Sequence, residues 1–154
     1  MPPPLIRSYN LCLSQYTLEK MAGHIAFEFA RFEFSTKPEI FHQPGEHGGL
    51  VREAFLVHYR NLIDFFYEKK GWPSDARAAD YIEGSIAWKA NRPPWVAAER
   101  ERCHKLLAHL TYDRVAYAAS GSMTWDLEDK IDHLRAEWRA FLAALPPARR
   151  GWFA

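Results

Sequence analysis

Arg102 and His109 are the two side chains of this sequence whose types and spacing best suit chemistry. On an α-helix, residues seven apart stand two turns apart on nearly the same line. Imidazole changes protonation near neutral pH, and guanidinium is a permanent planar cation matched to phosphate oxygens. Cleaving RNA without a metal asks for both: a base to take the proton of the ribose 2′-hydroxyl, and a cation to steady the charged phosphate. The same two residues serve equally well in architecture. Arg102 would then be a solvated helix residue, and His109 a partly buried one bonded to a neighbour.

A wider constellation surrounds them. Arg60 and Asp64 form an i,i+4 pair, and His109, Asp113 and Arg114 follow one another along a later helix. Charges gathered at a bundle interface either fix helix register or line a cleft with shifted proton affinities. His58 stands on an apolar stripe, where a lone imidazole reads as a satisfied core residue. Metal binding has to be weighed because there are seven histidines. His104 and His109 lie about 140° apart around a helix, too far to share an ion. His24/Glu28 and His133/Glu137 are each i,i+4, but they fall off the apolar stripes and read as surface pairs. There is no glycine-rich phosphate loop, nucleophile elbow or HExxH. We therefore expect no metal site and no cofactor.

Helices must position these residues, because apolar side chains recur every three or four positions and nowhere alternate. The first helix is expected over 14–34, capped by Ser14 and striped by Leu18, Met21, Ala22, Ile25, Phe29 and Phe32. A long loop is expected over 36–49. A central helix follows over 49–70, then a shorter one over 74–88 capped by Ser74. A corner at 91–95 leads to the helix carrying Arg102 and His109, over 95–112. Thr124 should cap the last helix, whose stripe is Leu127, Ile131, Leu134, Trp138, Phe141 and Leu145. Pro146-Pro147 ends it, and the tail to residue 154 should fold back over the end of the bundle. Residues 1–13 read as an extended arm. The expected fold is all-α: a single domain over 1–154, with four main helices and one short one.

Composition narrows the function. The net charge is +1, so no global basic field advertises nucleic acid, and any RNA contact needs a local patch. Two distant cysteines make no disulfide framework and suit a reducing, cytoplasmic setting. No membrane span and no secretion signal is apparent.

Arg102-(six residues)-His109 in the third major helix of a small bundle resembles the HEPN superfamily. Active members of that family cut RNA without metal as dimers, pairing the motif of each subunit. The resemblance implies Arg102 and His109 as the catalytic pair, RNA as the partner and a homodimer. It departs at Cys103, a position that is usually polar in active members. Arg60-Asn61-Leu62-Ile63-Asp64, together with the run from His109 to Arg114, is also similar to a group of bacterial helical proteins of no established activity. The competing expectation is a non-enzymatic interaction or regulatory module that binds a protein partner, its charge network structural.

Overall fold

Ser14 starts the first helix as its sequence predicts. Its backbone is extended and its hydroxyl oxygen accepts the Thr17 N–H at 3.1 Å, so α1 (Gln15–Ser35) begins with one orphan donor satisfied. In the computed structural model, which describes residues 14–67, 74–82, 88, 92–108, 112, 115–116, 119–120 and 125–154, every regular element is helical and no strand occurs among these residues. Leu18, Ala22, Ile25 and Phe32 form the buried face of α1, while Met21, expected on the same stripe, lies beyond its edge and is exposed. No helix among them is long and apolar enough to cross a membrane.

The stretch expected as one loop over 36–49 holds a short helix, α2 (Pro38–Phe41), and the first turn of α3 (Gly45–Tyr67). Pro38 sits in the first turn of α2, where its fixed φ and missing N–H cost nothing. Gly45 turns the chain at φ 70°, a left-handed conformation that side chains resist. Gly48 is buried, and a Cβ there would lie 1.7 Å from the Gln43 carbonyl oxygen. The opening turn of α3 is thus built from glycines, which carry no apolar signal.

α3 is the central element. It packs on α1, α2 and the later helices over Val96–Cys103 and Glu128–Ala144, and buries Phe55, Tyr59, Leu62, Ile63, Phe65 and Phe66. The helix expected over 74–88 is, among its described residues, only a 3-10 turn over Ala78–Tyr81. Its start is Arg77, whose N–H donates to the Asp80 carboxylate at 2.9 Å, and Ser74 lies outside it. The turn delivers Tyr81 to the core, where its hydroxyl donates to the Leu18 carbonyl at 3.3 Å.

α4 (Val96–Cys103) is shorter than the expected 95–112 helix, because the chain widens into a π turn over His104–Ala108. α5 (Glu128–Ala144) has Leu127 as its N-cap, and Thr124, expected there, lies outside the described residues. Leu134, Trp138 and Phe141 carry its stripe into the core. The tail folds back as α6 (Pro147–Arg150) and a 3-10 turn, Gly151–Phe153. The Phe153 ring meets Tyr81 and Phe141 edge-on at 5.2 Å each, closing the bundle end. Rings dominate the packing elsewhere too, with Phe29 stacked on Trp138 at 4.3 Å. Each such buried ring contributes about 1.5–3 kcal/mol.

Candidate functional site

The charged residues divide into two clusters on opposite faces of α4, because successive even-numbered positions of a helix diverge by about 200°. Arg100 turns toward α3. Its Nε donates to the Asp64 carboxylate at 2.5 Å, and the Arg60 Nε lies 3.7 Å from the other oxygen of Asp64. One carboxylate therefore sits between two guanidiniums and joins α3 to α4. These side chains wall a cleft of 920 Å³ between α1, α3 and α4, which His24, Glu28, Asn61 and His104 also line. Acids and bases are interleaved there, so the cleft presents no uniformly positive surface to a polyanion.

Arg102 turns the other way. Its guanidinium lies over the Trp125 ring at 4.0 Å from the centroid and 3.8 Å from the Glu99 carboxylate. Its side chain is 14% exposed. Glu99 is buried, and Lys130 from α5 donates to it at 3.0 Å while also donating to the Asp126 carbonyl at 2.7 Å. A stacked, ion-paired arginine of this kind ties α4 to the segment before α5. Cys103, between the two clusters, is fully buried. Burial first, and the charge of Glu99 second, push its thiol up to about 12, so it is a neutral apolar filler at physiological pH. Burial likewise raises the Tyr59 hydroxyl above the usual phenol range, and Glu99 adds to that.

Two further polar contacts cross the bundle. His58 Nδ1 meets the Glu28 carboxylate at 2.7 Å, and Asn61 donates to the same oxygen at 3.0 Å. Glu28 thus pairs across the helices with His58, which has the satisfied partner expected of it. His133 Nε2 lies 2.8 Å from the Tyr67 hydroxyl and 3.9 Å from Glu137. Glu137 is buried and His133 partly so, which makes this pair less of a surface pair than its spacing suggested. Among the described residues no three His, Cys, Asp or Glu side chains gather as metal ligands would.

Arg102, Arg60 and Asp64 are therefore placed, and the structure separates Arg102 from the other two by the face of α4 it occupies. His109, Asp113 and Arg114 lie outside the described residues. Between Arg102 and those residues the described backbone widens into a π turn over His104–Ala108. Sequence reasoning missed Arg100, Glu99 and Lys130. Glu99 and Arg100 showed only as a charged run in a helix of weak amphipathicity, Lys130 as one charge on the polar face of α5, and the partners that join them are distant in the chain. No family model, curated protein or solved structure matches this chain.

Proposed function

We propose that this chain is a non-enzymatic helical interaction module whose charged side chains secure the packing of its helices. The observation that carries this reading is the seating of Arg102 between Trp125 and Glu99. A phosphate clamp must present its guanidinium to an open crevice, whereas this one spends its flat face on a ring and its charge on a carboxylate. The buried, protonated Cys103 beside it supports the same conclusion. Two thiols and no disulfide framework suit a cytoplasmic setting.

A second reading, HEPN-like binding or metal-independent cleavage of RNA by Arg102 and His109, draws support from one feature. The π turn lies between those two residues, and π turns recur at functional sites. In that reading His109 is the general base, and the protein works as a homodimer. The two readings part on a single variant. As a structural residue, His109→Ala lowers stability by about 1–3 kcal/mol in denaturant melts and leaves RNA untouched in both forms. As a catalytic residue, it abolishes RNA cleavage while the melting temperature holds.

A further inference from the structure

α1 turns one apolar face to the core and carries a row of aromatic rings on the opposite face. Leu18, Ala22, Ile25 and Phe32 point into the core. Half a turn away stand Tyr16, Lys20, Gly23, Phe27, Ala30 and Phe34, all exposed. Their steps alternate four and three without a break, the a/d spacing of a helix that packs on another helix. Tyr16 is 69% exposed, Phe27 51% and Phe34 48%. A Cβ at Gly23 would meet nothing. The outward face of a surface helix is ordinarily charged. Each ring carries a cation beside it, Lys20 over Tyr16 at 5.5 Å, Arg31 over Phe27 at 4.9 Å and Lys37 over Phe34 at 5.3 Å, so the stripe is a row of rings edged by positive charge.

We propose that this stripe docks on the same stripe of a second copy of the chain, antiparallel, about a two-fold axis between Gly23 and Phe27. This rests on the reading of the chain as an interaction module and names one partner. The pattern is complementary to its own reverse. A two-fold at its centre sets Phe27 against Gly23 of the second copy, Tyr16 against Phe34, and Lys20 against Ala30. A ring fills the gap that the glycine leaves, and each lysine, whose ammonium lies over the Tyr16 ring of its own chain, sets its stem along an alanine. The parallel arrangement sets Lys20 against Lys20 and Gly23 against Gly23, which is a repulsion and a void. An isologous contact of this kind closes as a dimer. Six rings, each about half exposed, offer about 600 Å². The flanking side chains bring the contact to about 1,000 Å², where specific interfaces begin.

Sedimentation of the full chain across micromolar concentrations tests this. The expected result is a reversible species of twice the 17.9 kDa monomer mass. Phe27→Glu and Gly23→Leu should each shift it to monomer with the melting temperature held or raised, since leucine favours helix over glycine. In a Cys12→Ser background, Lys20→Cys with Ala30→Cys should cross-link two chains under oxidant. Lys20→Cys alone should not, because antiparallel copies hold those residues about 15 Å apart along the axis. A monomer at every concentration would overturn the proposal, as would a dimer indifferent to Phe27→Glu or a cross-link through Lys20→Cys alone. So would a monomer whose stripe binds anionic lipid vesicles, which would make α1 a membrane-surface helix. RNA cleavage lost in His109→Ala would overturn the module reading and leave the dimer result standing.

Discussion

Arg100 and Arg102 are two positions apart in one helix, and they hold different partners. Arg100 spans to Asp64 on α3 in a half-exposed setting, while Arg102 is pinned over Trp125 beside buried Glu99. Their stability contributions should differ accordingly. Asp64→Asn leaves two partly solvated guanidiniums, and chemical denaturation should show a loss of about 1 kcal/mol. Glu99→Gln leaves Lys130 and Arg102 facing a neutral amide in the interior, and the loss should be about 3 kcal/mol. Equal losses at the two sites would mean that burial is not what separates them. The spacing of Arg60 and Asp64 was readable from the chain, because an i,i+4 pair is a local fact. The third member, Arg100, was not, because only the packing of α3 on α4 brings it there.

Elements with a full apolar stripe were legible, and elements built from backbone chemistry were not. α1, α3 and α5 were expected within a few residues because their buried side chains repeat at helical steps. The opening of α3 was hidden because Gly45 and Gly48 act by what they lack. Gly48→Ala would drive a methyl into the Gln43 carbonyl, and thermal melts should show a loss of about 2 kcal/mol or more. Gly49→Ala, with open space at its Cβ, should be neutral or mildly stabilising. Among the described residues of 74–88, a 3-10 turn at Ala78–Tyr81 seats Tyr81 in the core, a placement that a periodicity argument does not detect. The π turn after Cys103 is equally silent in sequence.

At the scale of the whole molecule, the ring-rich core and its buried ionisable groups set the alkaline limit of the fold. Cys103 titrates near 12 when folded and near 9.0 otherwise, so its raised value favours the folded state at and below neutral pH. The unfolded chain releases that proton first as pH rises. Stability should then fall between pH 9.0 and about 12, by about 1.4 kcal/mol per pH unit for this one thiol. Tyr59 and Tyr67, raised chiefly by burial, add to the fall in the same direction. Melts of Cys103→Ala should show a shallower decline over that window than the parent. The tail is part of this unit: Phe153→Ala should cost about 3 kcal/mol, because the ring closes the end of the core against Tyr81 and Phe141.

The most direct measurement is incubation of the purified full chain with mixed RNA in excess chelator, alongside its Arg102→Ala variant. The module reading predicts that the RNA keeps its length with both proteins, and that Arg102→Ala is recognised only by a lowered melting temperature as Trp125 and Glu99 lose their shared cation. Progressive shortening of the RNA by the parent, absent with an equally stable Arg102→Ala, would contradict it.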